Sequence, residues 1–275
     1  MGTVFAAAAC ISIAAVAVIC LFLFANGLPA LLEIGPARFL TGTQWKPGNQ
    51  LFGILPMILG SLWVTAGALV IGVPVGILTA VFLARYCPVR LYKLFKPAVE
   101  LMAGIPSVVY GFFGLMVLVP LVRSSLGGRG MSLLTASLLL GMMILPTVIG
   151  VAESALRAVP NSYYEGGLAL GASHSRAVFF TVLPAAKSGI LAAVVLGLGR
   201  AVGETMAVKM VAGNQPVLPQ SLTEGLRTMT ANIVLEMGYA ADLHRGALID
   251  TAVVLFAFIL AVNLCFSLLK RRAER

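Results

Sequence analysis

The chain has 275 residues, 60% hydrophobic and only 11% charged, with a mean hydropathy of +1.01. A soluble domain of this length needs far more polar cover, so the composition excludes one and places the chain in a bilayer. The net charge of +9 would suggest nucleic acid in a soluble protein; here the basic residues gather between apolar blocks, where they report orientation, and no nucleic-acid partner is expected.

Residues 4–24 form the first block without Asp, Glu, Lys or Arg. A secretory leader would carry Lys or Arg ahead of a shorter apolar core; Met1-Gly2-Thr3 has neither, which predicts a retained helix. The second block, 51–84, holds 34 residues, roughly 51 Å as straight helix, too long for one upright span across a ~30 Å hydrocarbon core. Its first part, with Gly53 and Pro56, is expected at the interface, leaving 61–84 to cross. Residues 101–122 and 131–152 are two further spans, separated by the turn Leu126-Gly127-Gly128-Arg129-Gly130, whose backbone freedom suits a tight reversal. Residues 188–211 form a fifth span with charges inside it, and 251–269 a sixth. Cys10, Cys20 and Cys265 lie in apolar blocks and Cys87 in a basic loop, so free thiols are expected.

Six spans put both termini on one side. Eleven of the nineteen Lys and Arg residues fall on the side of the termini, among them Arg85, Lys96, Arg157, Lys270, Arg271, Arg272 and Arg275; six fall on the other. The excess predicts cytoplasmic termini. Prolines recur in the spans at Pro74, Pro106, Pro120 and Pro146. In a bilayer such breaks survive where neighbours or a watery cavity satisfy the freed carbonyls. They are either packing kinks or the lining of a solute path, in which case Ser107, after Gly104-Ile105-Pro106, offers a polar contact.

Residues 153–187 form the long loop on the cytoplasmic side. Pro160-Asn161-Ser162-Tyr163-Tyr164-Glu165 reads as a helix start, with Ser162 and Glu165 at capping-box spacing. Gly166, Gly167, Ala169, Gly171 and Ala172 follow; such small residues are poor helix formers alone but let a second backbone approach closely. An amphipathic run from Arg176 to Val182 ends at Leu183-Pro184. Either the loop lies solvated against the membrane or it docks a cytoplasmic partner. The pattern Glu165-Gly166-Gly167-x-x-x-Gly171 followed by Leu183-Pro184 resembles the EAA motif of ABC importer permeases, with glycines in place of both alanines and Thr181 in the usual aliphatic position. The resemblance implies a coupling helix seated in a cleft of an ATPase subunit. The chain has no G-x-x-x-x-G-K-[ST] loop, so it is expected to bind no cofactor itself, with ATP and Mg used by the partner ATPases.

Arg200 lies twelve residues into the fifth span, roughly 18 Å from its end, and Glu204 follows at i+4, on the same face of a continuous helix. One charge at that depth costs roughly 2.5–3.5 kcal/mol even on the lenient insertion scale. The two form either an internal ion pair that offsets its own burial, or a gated anion site in which the Arg200 fork holds oxyanion oxygens. Gly197-Leu-Gly-Arg200-Ala-Val-Gly-Glu204-Thr-Met-Ala207 resembles the signature of PstC-type permeases of phosphate-specific ABC importers. So do Trp45-Lys-Pro47 with Phe52-Gly-Ile-Leu-Pro56, and Ala103-Gly-Ile-Pro-Ser-Val-Val-Tyr-Gly111. The resemblance runs from about Trp45 to the last span. It implies an all-α type I (MetI-like) fold of six transmembrane helices in the cell inner membrane, a PstA-like partner permease, two PstB-like ATPase subunits and a PstS-like phosphate-binding protein. It also implicates Arg200 and Glu204 in transport.

Residues 1–50 are expected to hold the first helix and an outer connector, and 51–275 the transmembrane domain. The outer loop, about 213–246, has an amphipathic-looking run over 221–237 and either meets the binding protein or packs as a lid; His244 within it has no assigned role. An importer of sulfate, molybdate or tungstate is a rival in the same class. A secondary transporter or channel is a rival in another, opposed by the 165–184 pattern. A membrane-embedded enzyme would need acidic or metal-ligand clusters, and the sequence shows none.

Overall fold

The structure, a computed structural model, describes residues 2–273, with side chains through residue 265. Lys270, Arg271, Arg272 and Arg275 of the orientation count lie outside the described side chains. The helices are α1 (Gly2–Ile34), α2 (Pro36–Thr41), α3 (Leu55–Val81), α4 (Val89–Gly104), α5 (Ser107–Phe113), α6 (Val119–Leu126), α7 (Leu133–Ala158), α8 (Asn161–Ala169), α9 (His174–Ala177), α10 (Leu183–Ala185), α11 (Lys187–Gly203), α12 (Met206–Val211), α13 (Met229–Glu236) and α14 (Asp242–Ala273). Between α2 and α3, β1 (Trp45–Lys46) and β2 (Leu51–Phe52) pair antiparallel as a small hairpin.

Among the described residues, five continuous helical segments are long and apolar enough to cross a membrane. A sixth span results if His174–Ala185 and Lys187–Gly203, bent 70° apart, count as one. Three expected boundaries move. The second span runs as continuous helix from Leu55 to Tyr86: Pro56 sits in the first helical turn, where its missing N–H costs nothing, so helix begins six residues before the expected start at 61. The third begins at Ser107, because Pro106 drives Ile105 into extended backbone and ends α4 at Gly104. The fifth ends at Gly203, well short of Val211. The four cysteines are free.

Three prolines mark a shared device. Pro88, Pro120 and Pro184 each follow a wide π turn, at Phe82–Tyr86, Gly114–Leu118 and Val178–Val182. A proline ring clashes with the carbonyl four residues back. In each case the residue before the proline turns its N–H to the carbonyl five back: Cys87 to Phe82, Val119 to Gly114, Leu183 to Val178. The widened turn keeps the preceding backbone groups paired, as a bilayer demands.

The core is a spine of α3, α7 and α11. Lipid tails are as apolar as leucine, so helices in a membrane associate by close packing rather than by escape from water. Gly72 and Gly76 of α3 provide it: a Cβ on Gly72 would lie 2.7 Å from the Gly141 carbonyl oxygen, and one on Gly76 2.8 Å from Val148 Cγ1. On α11, Gly189 and Gly197 meet Ala155 and Val148 of α7 in the same way. Val64, Leu139, Leu140, Met143 and Ile144 fill the middle of the spine. By contrast α1 exposes almost its whole length and is buried only at Gly27 and Ala30, where it meets Asp250 and Gly246 of α14. Those contacts set α1 antiparallel to α14, so both run to the bundle end that carries the 153–187 segment.

Candidate translocation and coupling sites

The first predicted pair is not a pair. Helix α11 stops at Gly203, and Glu204 is extended (φ −71°, ψ 125°), so the i+4 face relation holds no longer. The Glu204 carboxylate turns toward α12 and accepts the Ala207 N–H at 3.2 Å, satisfying one of the free donors at that helix start. Its own carbonyl accepts the Thr230 hydroxyl at 3.2 Å. Arg200 Nη1 donates to Thr147 Oγ1 of α7 at 3.2 Å. Among the described residues it joins no ion pair: the five that form involve Lys96, Arg157, Arg227 and His244. The reading as a self-neutralising ion pair is therefore overturned, and the guanidinium keeps most of its five donors.

Glu204 borders a cavity of about 10 Å³ ringed by the hydroxyls of Ser61, Thr65, Thr228 and Thr230, the room of about one water. Ser107 is the first residue of α5 and partly exposed. One turn on, Tyr110 donates its hydroxyl to the Met102 carbonyl at 2.9 Å, across the Pro106 break.

The 153–187 segment is mostly helical, and α8 within it buries none of its residues. α7 continues through Ala158, and α8 starts directly after Pro160. The expected capping box is absent: Pro160 occupies the cap position, and Ser162 and Glu165 lie inside α8 with no side-chain cap bond. Proline holds the entry extended, and its fixed φ starts the helix in place of a side-chain cap. The far end closes on Gly171 at φ +81°. There the Gly171 N–H bonds the Leu168 carbonyl at 2.9 Å and the Ala172 N–H the Gly167 carbonyl at 3.1 Å, the two bonds of a Schellman turn. The paired glycines divide their work. A Cβ on Gly167 would meet Ala177 Cβ at 3.2 Å and Thr181 Oγ1 at 3.4 Å, whereas Gly166 has open space. Tyr163, Glu165, Leu168 and Leu170 are exposed beside it. Leu183 packs into the core at this end and Pro184 is exposed at the corner.

Two clusters escaped sequence reading. At the 153–187 end, Glu153 of α7 has only 2% of its side chain exposed. It accepts Tyr92 Oη at 2.8 Å, Lys96 Nζ at 2.9 Å and Arg157 Nε at 2.8 Å. Its bond to Lys96 holds that ammonium above the usual lysine pKa. At the opposite end Glu236 accepts Trp45 Nε1 at 2.8 Å and pairs with Arg227 and with His244 Nε2. This ties the hairpin to the 213–246 segment. That segment packs as a lid: Met229 N–H bonds Ser61 Oγ, Leu133 N–H bonds the Glu224 carbonyl, and Met229, Ala231 and Asn232 are buried. Within the amphipathic-looking run over 221–237, Met229–Glu236 is helical. The sequence hint to the first cluster was the i, i+4 pair of Glu153 and Arg157; the other partners lie 57–61 residues away for Glu153 and Lys96 or Tyr92, and 191 for Trp45 and Glu236.

Closely packed spans around a half-buried arginine, with a short helical hairpin projecting from one end, define a polytopic transport permease. The chain belongs to the family of binding-protein-dependent transport system inner membrane components, whose model matches residues 72–275; it is a membrane-embedded transport component rather than an enzyme. It is 40% identical to a probable ABC transporter permease protein, YqgH, of Bacillus subtilis, over 94% of this chain and 87% of that one. It is 36% identical to the phosphate transport system permease protein PstC of Mesorhizobium japonicum, over 85% and 78%. A chain of the inward-facing MetNI methionine ABC transporter superposes with a TM-score of 0.62 at 21% identity, covering 84% of this chain and all of that one. The fold is thus the MetI-like one expected.

Proposed function

We propose that the chain is the PstC-type permease subunit of an ATP-driven importer of inorganic phosphate. The observation that carries this reading is Arg200: a half-buried guanidinium in the last turn of α11, beside the break before α12, held by one neutral hydroxyl and, among the described residues, by no carboxylate. Phosphate offers oxygens at the spacing of that fork. The PstC relatives support the same substrate. Glu204, at the break between α11 and α12, serves as the hinge-side gate and not as the counter-ion of Arg200. Ser107 and Tyr110 approach the path from α5.

In this reading both termini and the 153–187 loop face the cytoplasm, 1–50 is a peripheral helix with its outer connector, and 51–275 is the transmembrane domain. The exposed face of α8, with Glu165, Gly166 and Leu170, seats in a PstB-like ATPase subunit; Gly167, Gly171, Leu183 and Pro184 shape the loop that presents it. A PstA-like chain completes the pathway with a second ATPase. A PstS-like protein delivers phosphate from outside. Closure of the ATPases on ATP and Mg turns the path outward, and hydrolysis resets it; this chain holds no nucleotide.

The test is labelled-phosphate uptake at low external concentration in cells lacking the gene, with and without complementation. Restored uptake that resists excess sulfate, and resists an uncoupler at constant ATP, supports the reading. Uptake indifferent to the gene, in cells with no other phosphate system, refutes the substrate.

A further inference from the structure

We infer that Glu153 is a positioning residue of the transport cycle, clamping α4 to the coupling loop so that α4 carries its displacement to the Arg200–Glu204 break. The inference rests on the permease reading above. Within this chain no residue of α4 is buried, so packing inside the chain alone fixes its position poorly. What attaches it is the carboxylate of Glu153, through Tyr92 and Lys96. A carboxylate this buried is costly unless its oxygens are fully engaged, and here three donors engage them.

The same carboxylate also holds the start of the coupling loop. Arg157, bound to Glu153, donates Nη2 to the Leu83 carbonyl at 2.8 Å and lies 4.5 Å over the Tyr92 ring. Beside it Arg85 donates to the Leu156 carbonyl at 2.9 Å and to Asn161 Oδ1 at 3.4 Å. Asn161 is the first residue of α8. One polar cluster thus joins the π turn that follows α3, the end of α7, the first half of α4 and the root of α8.

The other end of α4 reaches the transport site. Tyr110 bonds Met102 across the Pro106 break, tying α4 to α5. From α5, Gly111 faces α12 so closely that a Cβ would stand 2.6 Å from Met210 Sδ and 3.0 Å from Ala207 Cα. The N–H of Ala207 is the one Glu204 holds. A push on α8 can therefore reach Glu204 through α4 and α5, by contacts that have little slack.

The test uses the whole complex in proteoliposomes, with Tyr92→Phe and Lys96→Met combined. This pair removes both α4 donors and leaves Glu153 Oε1 on Arg157 but Oε2 without its donor, so assembly is checked by the yield of purified complex and the same pair is repeated with Glu153→Gln, which removes the buried charge. Phosphate moved per ATP hydrolysed is expected to fall about fivefold or more, with hydrolysis near the wild-type rate. An unchanged ratio, or uptake and hydrolysis falling together, overturns the clamp. A second arm does not depend on substrate. Spin labels are placed at Leu94→Cys on α4 and Ser175→Cys on α9, both exposed sites, with Cys10, Cys20, Cys87 and Cys265 replaced by serine. Their separation is expected to ignore ATP when the clamp is intact and to shift or broaden with ATP in the double variant. If the intact complex hydrolyses ATP yet moves no phosphate, the substrate reading fails and this arm judges the clamp alone; separations equally indifferent to ATP in both complexes overturn it.

Discussion

Replacing Arg200 by lysine keeps the charge and removes the fork. Arg200 spends one donor on Thr147, which leaves paired N–H groups for a substrate oxyanion; lysine is a point charge and cannot hold two oxygens in a plane. Losing one of two charge-assisted bonds is worth about 1.5–3 kcal/mol, so phosphate uptake should fall roughly 10- to 150-fold. Thr147→Val removes one bond to a charged donor, about 1.5 kcal/mol at the weaker end of that range, and should cost roughly tenfold. The geometry also makes a sharper claim about Glu204. Because Arg200 and Glu204 do not touch, the stability effects of Arg200→Ala and Glu204→Gln should add, with a coupling below about 0.5 kcal/mol. The assay is labelled-phosphate uptake for the single variants, and thermal unfolding of the purified complex for the two singles and the double. Wild-type uptake by Arg200→Lys would refute the oxyanion site. A double variant more stable than either single would restore the ion pair and refute the geometry.

Gly171→Ala places a side chain at φ +81°, a conformation that costs about 1–2 kcal/mol for an L-residue; it should loosen the coupling loop and lower ATPase retention when the complex is purified. Gly166 and Gly167 should respond oppositely to leucine: Gly167→Leu collides with Ala177 and Thr181 and lowers the amount of assembled permease, whereas Gly166→Leu leaves permease levels intact and impairs ATPase binding. At the spine, Gly72→Leu drives a side chain toward the Gly141 carbonyl and Ile144. Overpacking of that kind costs about 1–3 kcal/mol, read as a lower unfolding midpoint, while an equal substitution at open Gly104 should leave the midpoint unchanged.

Much of this architecture was legible along the chain. Uncharged blocks marked the spans because a bilayer core tolerates little else, and the EAA-like pattern marked the loop that the structure shows as α8 to α10. Arg200 stood out because a charge at that depth is expensive. Span boundaries were legible only in part: Pro106 did break its helix, but the break at Glu204 carries no proline and was read as continuous helix. What the tertiary structure alone decided was partnership. Whether Arg200 meets Glu204 or Thr147, which of Gly166 and Gly167 faces another helix, and that Glu153 gathers Tyr92 and Lys96 beside its own i+4 neighbour Arg157 all depend on how distant segments come together. Hydropathy and backbone chemistry act within a few residues and are written locally. A buried charge takes whichever donors the packed helices bring to it, and no spacing along the chain records which those will be.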